Sequence, residues 1–257
     1  MGIQKSKRSK IMEVSVIPFN EVEVVDKIYT ACRTCYMQGT PQEQYKATQE
    51  EMTGAVGWEK KWKLINHVIS SGHHSTLEHV SFTFLISGVS RALSHQLVRH
   101  RIGVSFSQQS QRYCKFEKGF EYVIPPSIAK DEKLLKKYEL YMGGINNMYL
   151  DLLNVENVPA EDARMVLPNA CCTNLTMTMN LRELIHFTDE RCCTCAQWEI
   201  RDMAKKMAKL IWDKIPELKP YLGPKCQLLG YCNESAQRTC HRKPLKEHAL
   251  QNVYELS

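Results

Sequence analysis

The sequence has no apolar run near the roughly 20 residues that a membrane-spanning helix requires, so no span is expected. It also has no glycine-rich phosphate loop: neither a GxGxxG nor a P-loop pattern occurs. Any nucleotide phosphate must then be gripped by side chains, chiefly arginine. The opening MGIQKSKRSK is basic but carries no apolar core segment, which argues against a secretory leader. Met1-Gly2 with Ser6 matches a myristoylation start only loosely, and a basic tail over residues 1–11 is the expectation. No internal repeat is evident. Cysteine, by contrast, is abundant. Eleven is an odd number, so complete internal pairing is impossible, and the adjacent pairs Cys171-Cys172 and Cys192-Cys193 are poor staples. Free thiols in a reducing cytoplasm are expected.

The formal net charge is +6. A modest positive excess suits an anionic ligand, fits weak nucleic-acid binding, and equally could serve only solubility. Hydrophobic periodicity gives a mixed order of elements. Strands are expected over 12–18, 80–86, 122–124 and 175–179. Helices are expected over 22–35, 58–71, 89–99, 131–153, 160–167, 181–189 and 195–215. Residues 39–52 read as loop with some helix, and a Ser- and Gln-rich loop is expected up to Tyr113. Ser75-Thr76-Leu77-Glu78 has the form of a capping box. The expected fold is α+β: a mixed, largely antiparallel sheet flanked by helices in a single domain over 12–220, followed by a Cys-rich extension over 221–257.

The most informative stretch runs from Arg99 to Tyr113, RHRIGVSFSQQSQRY. Arg99, His100 and Arg101 stand at a helix end, followed by hydroxyl and amide side chains and then Arg112. Guanidinium forks bind phosphate oxygens in bidentate fashion, and Ser and Gln can read a phosphate or a base edge. RHR taken alone is as well explained by a polar surface loop.

This stretch resembles the signature of the flavin-dependent thymidylate synthases, an RHR followed by Ser-x-Arg-Tyr. Eight residues separate Arg101 from Ser110, one more than in the family's pattern. Further segments resemble the family in the same order. They are Ala31-Cys32-Arg33, His73-His74-Ser75-Thr76-Leu77-Glu78-His79, Ala163-Arg164-Met165-Val166-Leu167-Pro168, Asn180-Leu181-Arg182 with His186, and the stretch from Arg191 to Arg201. The resemblance spans roughly residues 12–220. It implies that Gln96, Arg99, Gln108, Gln109, Ser110, Gln111, Arg112, Arg164 and Arg191 bind dUMP. It implies that His73, Ser75, Arg99, His100, Arg101, Gln108, Asn180, Arg182 and His186 bind FAD. Gln108 stands where some relatives carry Glu. The implied reaction is reductive methylation of dUMP to dTMP. Methylenetetrahydrofolate is the carbon donor, and NADPH re-reduces the flavin. The implied assembly is a homotetramer with active sites shared between subunits, without nucleic-acid or membrane partners.

The unrelated class of thymidylate synthase uses a cysteine in a Pro-Cys-His setting, and no Pro-Cys dipeptide occurs here. A covalent thiol is therefore not expected. The resemblance instead makes Arg191 the catalytic residue, stabilising negative charge on the uracil and so raising electron density at C5. In the tail, Cys226, Cys232, Cys240 and His241 are metal-ligand types, but their spacing lacks a CxxC knuckle, and no metal is expected. Two other readings stay open at this stage. A basic nucleic-acid-binding protein would show salt-dependent affinity and no yellow colour. A flavoprotein reductase would be yellow but would not take up dUMP.

Overall fold

The structure, a computed structural model, describes residues 7–8 and 11–249. Most of the predicted basic tail over 1–11 and the last residues of the Cys-rich extension thus lie outside the described residues.

Strand β1 is Lys7–Arg8 and β2 is Glu13–Val16. Helices α1 (Glu21–Thr34), α2 (Pro41–Glu51) and α3 (Gly54–Ser70) follow, then a 3-10 turn over His74–His79. Next come β3 (Ser81–Ser90), α4 (Arg91–Leu97), β4 (Val104–Gln108) and β5 (Glu121–Tyr122). Helices α5 (Pro126–Ala129), α6 (Glu132–Asn154) and α7 (Ala160–Ala163) lead to β6 (Cys172–Asn180). Helices α8 (Leu181–Arg191), α9 (Trp198–Trp212) and α10 (Cys226–Leu229) follow.

The main sheet is antiparallel with four strands in the order β2-β3-β6-β4. Its register shows in paired backbone bonds: Leu181 N donates to Val80 O and Arg91 N to Cys171 O, while Asn180 N donates to Gly103 O and Gln109 N to Asn174 O. Phe82, Phe84 and Ile86 on β3 alternate inward, as do Leu175, Met177 and Met179 on β6, which is why both segments are strands. A second, two-stranded sheet pairs β1 with β5 in parallel. The α+β expectation with a largely antiparallel sheet is met.

The chain forms two compact units, and the boundary runs through the strands of the four-stranded sheet rather than through a linker. The first unit holds residues 85–100 and 106–177 with the start of β2. Its core is Phe120, Tyr122, Met142 and Cys171, bordered by Phe116, Ile124, Tyr138 and Leu167. Helix α6 starts on the Asp131 side chain, which accepts from Lys133 N and Leu134 N. Its buried Asn146 accepts from Phe120 N, so a core amide satisfies a loop backbone.

The second unit holds residues 15–84, 101–105 and the chain from 178 onward. Helix α9 buries Ile200, Met203, Ala204, Met207, Ala208 and Ile211, the i, i+3, i+4, i+7 stripe of an amphipathic helix. Helix α1 packs on α2 and α3, and the pair Lys61–Asp26 is almost wholly buried there.

Several expectations need correction. Residues 39–52, read as loop with some helix, hold one continuous helix, α2, over Pro41–Glu51, because Thr40 and Glu43 form a capping box and Pro41 occupies the first turn. The capping box read at Ser75 does not exist: the segment is a 3-10 turn with no side-chain cap, and Glu78 pairs with Arg182 instead. Part of the Ser- and Gln-rich loop is a strand, β4, whose Val104, Phe106 and Gln108 are half-buried while Ser105 and Ser107 are exposed. Strand β3 runs on to Ser90, and the Ser90 side chain then caps α4. Helix α9 begins at Trp198, capped by the Gln197 side chain, not at Cys195.

Candidate functional site

The two units divide the predicted residues by their predicted ligand. Of the dUMP set, Gln96, Arg99, Gln108, Gln109, Ser110, Gln111, Arg112 and Arg164 lie in the first unit, and Arg191 lies in the second. Of the FAD set, His73, Ser75, Arg101, Asn180, Arg182 and His186 lie in the second unit, and Arg99, His100 and Gln108 lie in the first.

In the first unit the residues after β4 are held against β6. Gln108 Nε2 donates to Thr173 Oγ1 at 3.1 Å. Asn174 Nδ2 donates to Gln109 Oε1 at 3.1 Å. Gln111 is buried with its amide on Cys171 Sγ, so it offers a ligand its backbone rather than its side chain. Ser110 Oγ accepts from Arg112 N at 3.2 Å, which turns the chain and leaves the Arg112 side chain half exposed. Arg112 then reaches Glu161 with two nitrogens, Nε at 3.0 Å and Nη2 at 2.9 Å. Arg164 Nε donates to the backbone oxygen of the same Glu161 at 3.1 Å. Two guanidinium groups therefore meet around one residue that carries a single negative charge. The surplus is positive and partly exposed, which suits a phosphate dianion. Gln96 is half-buried on α4, while Arg99 is exposed just past its end.

In the second unit, Asn180 is the pivot. Its Oδ1 accepts from Glu183 N at 2.8 Å and so caps α8, while its backbone N donates to Gly103 O at 2.8 Å. Gly103 has a φ of +70°, and a Cβ there would lie 2.7 Å from Asn180 Cγ and 2.8 Å from its Oδ1, with Nδ2 closer still. Glycine is the one residue type free to take that conformation at so close an approach. Arg182 Nη1 pairs with Glu78 Oε1 at 2.5 Å, joining α8 to the 3-10 turn. His73, Ser75, Arg101, Arg182 and His186 are all exposed, and Asn180 is half-buried. Gly72, at φ +79°, ends α3 and delivers His73 to the surface. Arg191 is the last residue of α8 and is half-buried. Two residues before it, burial pushes the Asp189 carboxyl up to about 6, with Glu190 adding to the rise and His186 and Lys225 opposing it.

The polar set of the second unit fits a dinucleotide pyrophosphate: Arg101 and Arg182 are cationic, Ser75 and Asn180 add a hydroxyl and an amide, and Arg33 Nε is buried without a hydrogen-bond partner in the same unit. Sequence reasoning gave no role to Arg33 or to Glu161, which holds Arg112, and read Glu78, which holds Arg182, only as part of a capping box. Glu161 stands three residues before Arg164, but nothing in the sequence ties it to Arg112. None of the eleven cysteines is in a disulfide, as expected. Cys171 is buried, and desolvation, with Cys172 beside it, pushes its thiol up to about 12, far from a thiolate nucleophile. Among the described residues, no helix is long and apolar enough to cross a membrane.

The chain has the fold of a solved UMP/dUMP methylase, PolB from Streptomyces cacaoi bound with 5-Br dUMP. The two superpose with a TM-score of 0.68 at 21% identity, over 83% of this chain and 95% of that one. The class the fold defines is thus an α+β architecture on which a pyrimidine-nucleotide methylase is built. The model of the family described as "Thymidylate synthase complementing protein" matches residues 22–217. A flavin-dependent thymidylate synthase of Nitratidesulfovibrio vulgaris is 44% identical over 232 residues, covering 88% of this chain and 93% of the relative. One of Geobacter sulfurreducens is 45% identical, covering 82% and 86%. One of Pyrococcus furiosus is 46% identical, covering 67% and 72%. The chain belongs to the thymidylate synthase complementing protein family, that of the flavin-dependent thymidylate synthases.

Proposed function

We propose that this chain is a flavin-dependent thymidylate synthase that converts dUMP to dTMP with FAD, methylenetetrahydrofolate and NADPH. The observation that carries the reading is the meeting of Arg112 and Arg164 around Glu161, two cations 52 residues apart in the sequence with one compensating charge. The 5′-phosphate of dUMP displaces or joins the Glu161 carboxylate there. Ser110 and the backbone of Gln109 and Gln111 supply further hydrogen bonds. Arg99 and the amides of Gln96 and Gln108 complete the nucleotide cradle.

FAD is held by the polar set of the second unit, with Arg99, His100 and Gln108 added. Arg101 and Arg182 offset its pyrophosphate, and His73, Ser75, Asn180 and His186 bind and orient its polar edges. FAD bound there would supply, in its reduced form, the hydride of the reaction, with NADPH as its reductant. Arg191 lies against the uracil edge and stabilises the negative charge that builds at N3 and the carbonyl oxygens as C5 becomes nucleophilic. The protein needs no thiol for that step, in keeping with the raised Cys171 thiol.

The assembly is a homotetramer whose active sites are shared between subunits. Leu134, Tyr141, Met148 and Val155 support it: they recur every seven residues along α6 and its end, and all four are exposed. A stripe of that kind is a helix–helix contact awaiting a partner. The reading also places the protein in the cytoplasm, with an extension over 221–257 beyond the synthase domain. Tritium release from C5-labelled dUMP, dependent on methylenetetrahydrofolate and NADPH, tests the reaction. Flavin reduction by NADPH with no tritium release would leave a reductase and refute the proposal.

A further inference from the structure

The extension poses a physical problem. From residue 226 to residue 249 only Cys232 is buried, so this stretch has no hydrophobic core of its own. Ordering it costs backbone entropy at every residue. Yet it is folded: Cys232 N donates to Pro244 O at 2.7 Å, Lys246 N to Cys232 O at 3.1 Å, and Thr239 N to Ser235 O at 3.0 Å. Beside Cys240, His241 holds a φ of +58°, a conformation that non-glycine residues adopt at a cost. Segments with so little to bury are held by cross-links, and the eleven cysteines form no disulfide.

The thiols show what the cross-link is. Cys226, Cys232 and Cys240 line one small cavity, and Cys193, from the turn after α8, lines it with them. Cys193, Cys232 and Cys240 all lie within electrostatic reach of Cys226. Cys193, Cys195 and Glu234 have ligand atoms within 4.8 Å of one another. Cys195 Sγ also donates to Arg238 O at 3.2 Å, so it stands at the border of the cluster. The cavity has a volume of about 30 Å³, enough for an ion or a water or two and far too small for a nucleotide. Lys225 and Arg242 also line it, so cations stand ready to offset surplus thiolate charge.

We propose that this cavity binds one thiophilic divalent cation of the zinc class, with Cys193, Cys226, Cys232 and Cys240, thiols that line it, drawing together around the ion as its ligands. Each thiol gives up its proton on binding, and four thiolates around a dication leave a net charge of two minus that Lys225 and Arg242 face. Glu234 and Cys195 border the site, and His241 is not a ligand. The tail's own spacing concealed the site, because its fourth ligand is Cys193, 33 residues before Cys226 in the sequence. The cation ties the extension to the end of α8, where Lys225 N also bonds Asp189 O. The proposal stands apart from the reaction and is tested without it.

Elemental analysis of the full chain, purified in reducing buffer without chelator, is expected to find one zinc per chain. The Cys226→Ser/Cys240→Ser variant is expected to lose at least nine-tenths of it, while Cys35→Ser/Cys114→Ser keeps it all. Should the first variant fail to fold, the natural chain stripped by a chelator is titrated with Co²⁺. One equivalent should raise the thiolate-to-cobalt charge-transfer band, and Zn²⁺ should abolish it. Metal-free protein that raises no such band, disulfides among these four cysteines, or full zinc content in the folded Cys226→Ser/Cys240→Ser variant would each overturn the proposal.

Discussion

Gly103→Ala isolates the contact on which the predicted FAD-binding face depends. Two costs arise. An alanine at φ +70° sits in the left-handed region, worth about 1–2 kcal/mol. Its methyl would also lie 2.7 Å from Asn180 Cγ, so the amide must leave its place on Glu183 N. Loss of that cap adds about 1 kcal/mol. The total, about 2–3 kcal/mol, should lower the melting temperature by roughly 4–12 °C for a domain of this size. Asn180→Ala alone should cost only the cap, about 1 kcal/mol. Because both changes remove the same cap, Gly103→Ala/Asn180→Ala should be less destabilised than the sum of the two by about 1 kcal/mol. Thermal unfolding of the four proteins without FAD measures this, and FAD titration then reads the binding face. Strict additivity, or a Gly103→Ala protein as stable as the natural chain, would refute the reasoning.

Arg112→Ala should weaken dUMP binding by about 10–100-fold, the worth of a charge-assisted hydrogen bond, in calorimetric titration. Glu161→Gln should tighten it by no more than about fivefold, because the pair it breaks is half exposed and worth little. Arg191→Ala should abolish dTMP formation while the purified variant keeps its flavin absorbance. Asp189 holds its proton up to about pH 6 when folded but only to about 3.8 when unfolded. Between those values the folded state binds more protons, so stability should fall as pH rises from about 4 to 6, and Asp189→Asn should flatten that slope in denaturant melts. Cys171→Ser should retain turnover in the tritium-release assay, since a thiol pushed up to about 12 is not the nucleophile.

Much of the fold could be read from the chain. The alternation through Phe82, Phe84 and Ile86, and the Asn180 cap before Leu181, state a strand and a helix start in local chemistry alone. Helix α2 was less legible because its face is polar: its stability comes from the Thr40–Glu43 cap, not from an apolar stripe. Strand β4 was hidden for a different reason. Its alternating Ser and half-buried Val and Phe become a strand only through pairing with β6, which is a non-local fact. The predicted site was legible through the resemblance, residue by residue, but its acids were not. Glu78 and Glu161 look like ordinary surface carboxylates until the fold brings Arg182 and Arg112 onto them. Three of the cavity's thiols, Cys226, Cys232 and Cys240, stand out in the sequence, but Cys193 does not, since it joins the tail only in three dimensions.

The absorption spectrum of the purified, FAD-supplemented protein, recorded with and without dUMP, tests the central claim most directly. Bound flavin bands that shift on addition of dUMP are the predicted result. A colourless protein, or a flavin spectrum indifferent to saturating dUMP, would contradict the claim that this protein binds both ligands.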